Sequence, residues 1–253
     1  MVIPILNDAS LIKMKVAGEL LAEVFVVIAQ HVIAGISTLE LDSLIERELE
    51  LRKLVPGCKG YMGYKHVSCI SLNDEVVHGI PSSTRVVKAG DVVKVDVSAA
   101  YQGFFADMAR PFLVSPVSQQ VQQFVHAAYV ALDKGIDKAQ AGNRLSDISY
   151  AIQQEVESHG YGIVRDFAGH GIGRAMHEDP EILNYGVPGK GPVLKRGMGL
   201  ALEPMITMKG YRVFVAHDGW TVRTVDGGLA AHVEDTVIIT DNGPMIITRP
   251  CKG

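Results

Sequence analysis

Apolar and polar positions alternate along this chain in two successive rounds of the same order. Asn7, Asp8 and Ser10 are capping residues ahead of a long helical pattern that reaches about Ala34. Its most apolar part, Leu20 to Ile36, is interrupted by Glu23, Gln30 and His31, which predicts a buried core helix rather than a membrane span. Ser37-Thr38-Leu39-Glu40 has the form of a capping box and predicts a second helix to about Leu54. A glycine- and tyrosine-rich loop, PGCKGYMGY, leads to a short β-like run at Ser68 to Leu72. DVVKVDVSAAYQGFFADMARPF then alternates on both sides of Tyr101-Gln102-Gly103, which reads as a hairpin. The second round has helical patterns at Ser118 to Ala139 and Leu145 to Ser158. Strand-like runs follow at Met198 to Met208, Thr221 to Thr224 and His232 to Thr240. No linker or low-complexity segment divides the rounds. The pattern predicts a single α+β domain over residues 1–253 with pseudo-symmetric halves of about 1–115 and 116–253.

Composition adds boundaries. A chain of 253 residues with 47% hydrophobic and 21% charged residues can bury a core without covalent staples. The net charge of -4 argues against a dedicated nucleic-acid binder, which shows a basic face. Three cysteines, Cys58, Cys69 and Cys251, do not form a disulfide framework and fit a reducing cytosol. The first fifteen residues lack a basic region, apolar core and cleavage site, so no secretory leader is expected.

The candidate chemistry begins with GHGIGRAMHEDP, where Gly169, Gly171 and Gly173 surround His170 and His177. Either this is a surface turn carrying histidine, or a bent backbone aims two imidazoles at one site. Asp96 and Asp107 lie directly opposite each other if the hairpin is centred between Tyr101 and Gln102, with Cβ atoms roughly 4.5–5.5 Å apart. Two carboxylates at that range need a shared proton or a cation. The alternative is a register shifted by a bulge at Gly103, with Asp96 solvated beside Lys94 and Ser98 on its strand face. Glu203 is a lone acid in the apolar run GLALEPMI, and Glu234 enters a β-branched run. Each is either an inward-facing ligand or a solvated strand-end acid. Asp235 points to the face opposite Glu234, so one of the two should look inward. Together, two Asp, two Glu and one or two His suit a pair of divalent ions with bridging carboxylates, as in co-catalytic hydrolases. There is no H-E-x-x-H, no C-x-x-C and no G-x-S-x-G. Met176 stands where a dinucleotide fingerprint needs its third glycine. A nucleophilic Cys58 or Cys69 has no electropositive context.

The order D-x10-D, H-x6-H, LEP and an acid in HVEDT resembles the type I methionine aminopeptidases over nearly the whole chain. HGIP at His78 to Pro81, VDVS at Val95 to Ser98 and DGWTV at Asp218 to Val222 match as well. The resemblance implies the pita-bread fold, a pseudo-two-fold α+β arrangement of antiparallel sheet backed by helices, with the metal site between its halves. It implies two divalent ions (cobalt, manganese, iron or zinc) held by Asp96, Asp107, His170, Glu203 and Glu234. Asp107 and Glu234 would bridge the ions, Asp96 would hold one, and His170 with Glu203 the other. Glu203 would also shuttle a proton. His177 would touch the substrate carbonyl, and His78 would lie near the scissile nitrogen. Cys58, Tyr61, Tyr64, Cys69 and Trp220 would line the methionine pocket, with Met176 in its wall. Asp235 departs from the histidine common in type I members and is closer to the related proline-specific peptidases.

The activity so implied is removal of the initiator methionine from nascent proteins and peptides. The implied setting is a monomeric cytoplasmic enzyme that meets nascent N-termini at the ribosome, with no direct nucleic-acid or membrane contact. Two other readings stand beside it. One is a proline-specific aminopeptidase of the same fold. The other is a pita-bread binding module that has lost its metals.

Overall fold

The computed structural model describes residues 2–249, so Cys251 lies outside the described residues. Helix α1 (Asp8–Ile28) starts where Asn7 Oδ1 accepts the Ser10 N–H at 3.0 Å. It ends six residues before the expected Ala34, because Gly35 to Ser37 pair instead with Val86 and Val87. Helix α2 (Thr38–Leu51) carries the expected capping box of Ser37 and Glu40. It stops short of Leu54: Lys53 turns left-handed (φ 57°) and the Leu54 N–H bonds back to Leu49 O. Among the described residues no helix is long and apolar enough to cross a membrane.

The first sheet is built on a long hairpin. Strands β1 (Val55–Pro56) and β2 (Cys69–Leu72) pair with one edge of β3 (Val92–Tyr101), and β4 (Phe104–Leu113) with the other. The turn is Gln102-Gly103, both with positive φ (48° and 79°), as a two-residue type I′ connection requires. That centre lies one residue beyond the expected one. Asp96 therefore pairs with Ala109 and Asp107 with Ser98. The two aspartates are not directly opposite but diagonal on one face, and no bulge at Gly103 is needed. Their face is not solvated, since Lys94 and Ser98 are both 1% exposed.

The second round opens with α3 (Gln119–Lys138), capped by Ser118, and α4 (Leu145–Ser158). The strands that follow are β5 (Gly162–Ile163), β6 (Gly169–Gly171), β7 (Glu178–Ile182), β8 (Gly199–Leu202) and β9 (Met205–Thr207). After them come β10 (Val213–Val215), β11 (Val222–Thr224), β12 (Ala230–His232), β13 (Asp235–Thr240) and β14 (Gly243–Ile246). They form antiparallel sheets ordered β14-β13-β8-β6-β7 and β12-β9-β5, with β10 and β11 as a separate pair. Two of the expected single strands are each two strands. Glu203-Pro204 separates β8 from β9, and Val233-Glu234 separates β12 from β13.

One apolar core lies between α1, α2 and the first sheet, and another between α3, α4 and the second-round strands. The two rounds meet where β4 runs along the start of β13. Ala109 and Glu234 exchange backbone hydrogen bonds at 3.4 and 3.0 Å. Buried Thr236 accepts the Asp107 N–H through Oγ1 and donates to Asp107 O, both at 2.8 Å. Thr236→Val keeps the shape of the side chain and removes both bonds, leaving two buried backbone groups unpaired. It should lower the unfolding free energy by about 1–3 kcal/mol in a urea titration. Wild-type stability would show that this pair does not hold the seam.

Candidate functional site

Each acid of the site is placed by a local feature of the backbone. Asp96 and Asp107 share one face of the β3–β4 hairpin. Glu203 and Glu234 both sit in strand interruptions, where a side chain is free of the strict in–out alternation of a continuous strand. The Asn184 amide holds the Glu203 carbonyl at 3.0 Å. The seam between β4 and β13 then brings Glu234 beside the hairpin face that carries the aspartates.

The glycines around His170 serve close packing. β6 lies between β8 and β7, and a Cβ on Gly169 would collide with Ala201 O, one on Gly171 with Asp179 O. A bulge between His170 and Gly171 supplies the bend expected from the sequence. The His170 and His177 rings meet edge to face with centroids 4.4 Å apart. His170 Nδ1 donates to Gly171 O at 3.0 Å, which leaves Nε2 with its lone pair, 3.7 Å from Glu203 Oε1.

These groups surround a cavity of about 290 Å³. All twelve residues singled out in the sequence line it: Asp96, Asp107, His170, Glu203 and Glu234, His78 and His177, and Cys58, Tyr61, Tyr64, Cys69 and Trp220. Met176 and Met62 complete the wall, and Met62 was not foreseen because it lies in a loop without periodicity. Tyr64 packs on Trp220 at 4.9 Å between ring centroids, Tyr61 on His177 at 5.2 Å, and His78 on Phe167 at 5.7 Å. The lining thus combines aromatic and sulfur-bearing side chains with carboxylates and imidazoles. A second opening on the far side of His78, His170, His177 and Glu203 has Glu178, Asp179 and Glu181 on its wall. Cys58 and Cys69 are free thiols, and a hydrogen bond with Cys69, together with burial, pushes the Cys58 thiol up, away from a nucleophilic thiolate.

The electrostatics are unfavourable for the carboxylates alone. Burial raises Asp96, Glu203 and Glu234 well above the carboxylate range, and the nearby charge of Asp107 adds to it in each case. Asp107 rises to about 7, again by burial, against the pull of hydrogen bonds from Ser98 and the Met108 N–H. Glu234 Oε1 is buried with no hydrogen-bond partner. The nearest cation, Arg110, is turned to the other side, where its guanidinium binds Glu234 O and, at 2.5 Å, Asp235 Oδ1. Burial holds His78 and His170 at about 4, with the neighbouring His177 adding to the shift, and lowers His177 as well.

The sequence placed one of Glu234 and Asp235 inward, and the structure buries both. Asp235 faces away from the cavity into a cluster of Arg110, Thr248 and Arg249, with the last two at 2.7 Å. His232 was not singled out. It is 1% exposed, and its Nε2 lies 3.4 Å from Glu203 Oε2. The available signal was a histidine inside an apolar run, two residues before Glu234.

The donor set fits a divalent cation. One ligand atom each of Asp107, His170 and Glu234 lies within 4.8 Å of the others. Carboxylate and neutral imidazole are ligands for manganese, iron, cobalt and zinc. A cation would also compensate the charge that the protein leaves unpaired.

The profile of metallopeptidase family M24 matches residues 12–241. A methionine aminopeptidase of Clostridium acetobutylicum is 46% identical over 242 residues, covering 96% of this chain and 97% of that one. Methionine aminopeptidase 1 of Bacillus subtilis is 43% identical, covering 93% and 95%. The crystal structure of a methionine aminopeptidase from Thermotoga maritima superposes with a TM-score of 0.96 at 42% identity, over 98% of this chain and all of that one. A Pyrococcus furiosus prolidase shares the fold, with a TM-score of 0.78 at 20% identity, and this chain spans 65% of it. The architecture is the α+β pita-bread fold.

The carboxylate shifts carry a pH dependence whose sign is definite. Folded carboxylates with raised pKa hold protons that the unfolded chain gives up, so their stabilisation is complete below about pH 4 and is lost as pH rises through their folded values, about 7 for Asp107. The depressed histidines oppose this only below their ordinary 6.5. Lys94, lowered by burial to about 7, opposes it above that pH, but with or without metal. The difference in Tm between metal-loaded and metal-free protein should therefore widen from pH 6.5 to about pH 8.5. Scanning calorimetry with and without chelator measures it, and a constant or shrinking difference would contradict the assignment.

Proposed function

The chain belongs to metallopeptidase family M24, and on that footing we propose that it is a methionine aminopeptidase, removing the initiator methionine from nascent proteins and peptides. The observation that carries this reading is one cavity lined by two unlike sets of side chains. A slot of Tyr61, Tyr64, Trp220, Cys58, Cys69 and Met176 adjoins a cluster of four carboxylates and His170. The slot suits an unbranched thioether side chain, held by dispersion and sulfur–aromatic contact.

Asp96, Asp107, His170, Glu203 and Glu234 would hold the divalent ions, Asp96 and Asp107 from the first round and His170, Glu203 and Glu234 from the second. The convergence of Asp107, His170 and Glu234 supports this set. Cobalt, manganese, iron and zinc all suit the set. Divalent ions there supply positive charge that offsets the carboxylates and lowers the pKa of water.

The protein's own groups do the rest. The side-chain slot fixes the first residue, and the α-amine comes to rest near Asp96, so a chain terminus is required. The remaining polypeptide leaves past His78 and His177 through the second opening. His177 is neutral near pH 7 and donates its N–H to the scissile carbonyl oxygen as negative charge grows there. His78 lies beside the leaving nitrogen. As a carboxylate, Glu203, made more basic by its burial, takes a proton from water as the water oxygen adds to the scissile carbonyl carbon, and passes that proton to the nitrogen as the C–N bond breaks. The enzyme works as a monomer in the cytoplasm, on N-termini emerging from the ribosome.

A peptide panel tests the reading. Met-Ala-Ser should be cut much faster than Ala-Ala-Ser or Ala-Pro-Ala, as measured by kcat/KM. A methylene in an apolar pocket is worth about 1–3 kcal/mol, or roughly 10–200-fold. Tyr61→Ala should erode the preference for methionine and leave metal content unchanged. Cleavage of Ala-Pro-Ala as fast as Met-Ala-Ser would replace this reading with a proline-directed peptidase. Protein without metal or activity would indicate a binding module.

A further inference from the structure

His232 has a burial that nothing in the reading above explains. It is 1% exposed, and neither ring nitrogen has a hydrogen-bond partner. Buried polar groups are nearly always paired, and an orphaned one costs stability, so its retention calls for a reason outside folding. Glu203 Oε2 lies 3.4 Å from His232 Nε2. The other oxygen of the same carboxylate, Oε1, lies 3.7 Å from His170 Nε2. Two imidazoles thus bracket one carboxylate, one at each oxygen. The backbone sets this arrangement. His232 pairs with Met205 across β12 and β9, and Met205 is only two residues beyond Glu203. The Asn184 amide holds the Glu203 carbonyl on the other side.

We propose that His232 is a positioning residue for Glu203, donating its Nε2–H to Oε2 so that Oε1 is held toward His170 and the cavity. A neutral imidazole has one N–H and one lone pair, so it orients a carboxylate by a single directed bond without adding charge. Hydrogen bonds of this kind are often long before ligands arrive and tighten once the site is filled. Partners of metal-ligating groups of this type are worth 10–100-fold in metal affinity or activity. The assignment rests on the reading of Glu203 as a ligand and proton carrier.

Two variants test it, His232→Leu and His232→Gln. The leucine fills the space without polar atoms, and the glutamine amide restores an N–H near the Nε2 position. The metal-free Tm of His232→Leu should equal or exceed that of wild type, because an orphaned polar group is gone. Calorimetric titration with manganese should show its affinity lowered about 10–100-fold. At saturating metal, kcat on Met-Ala-Ser should fall while KM changes little, the pattern of a group acting on the chemical step. His232→Gln should recover most of both losses. Wild-type affinity and kcat in His232→Leu would overturn the proposal. So would a His232→Gln variant as impaired as the leucine, since packing rather than the N–H would then be what matters. If wild type fails to cut Met-Ala-Ser, the methionine reading falls. The metal titrations then still decide the role of His232.

Discussion

Four carboxylates face one another across a single cavity, with too few hydrogen-bond donors to satisfy them. Asp107 and Glu234 are buried at 6% and 2% exposure, and Glu234 Oε1 has no partner. Charges so placed repel at close range in a medium far less polar than water. Protonation relieves the strain at acid pH and a cation relieves it at neutral pH. The rest of the structure can be understood as the means of forcing these groups together and of giving the resulting site a shape.

The forcing is done by the seam between the two rounds of the fold. One apolar core lies chiefly in each round, with Ile172, Ala201, Ile238 and Ile247 of the second round packed into the first core, so apolar burial holds the rounds together around the site. The β3–β4 hairpin of the first round contributes two aspartates, and the strand interruptions of the second contribute two glutamates. Thr236 and the Ala109–Glu234 exchange lock the two contributions in register. Behind the seam, Arg110 gathers Glu234 O, Asp235 and Thr248 O, so positive charge supports the backbone of the acidic segment without quenching its side chain. Arg249 binds Asp235 from the same side. The departure at Asp235 therefore bears on the support of Glu234 and not on the wall of the pocket.

Much of this was legible in the chain because it rests on local signals. Ser37 and Glu40 announced α2, and Leu145 and Ser158 bound α4 as expected. The helix, helix, strand order repeated as the polar pattern implied. The carboxylates were legible because acids in apolar runs are costly unless used. Register was less so: a left-handed Gln102 moved the hairpin centre by one residue and turned an opposed Asp96–Asp107 pair into a diagonal one. The short strands β6 and β7 carry glycine and charge rather than alternation, so their pairing depends on tertiary contacts. His232 was missed because its significance lies in the absence of a partner, which only the folded chain reveals.

The central claim is that the cluster is held in its ionised form by divalent cations. Calorimetric titration of metal-free protein with manganese, in buffers of differing ionisation enthalpy, tests it most directly. The account predicts that two ions bind per chain and that binding releases protons from the carboxylates, with fewer released as pH rises. Weak binding with no proton release across the neutral range would contradict it.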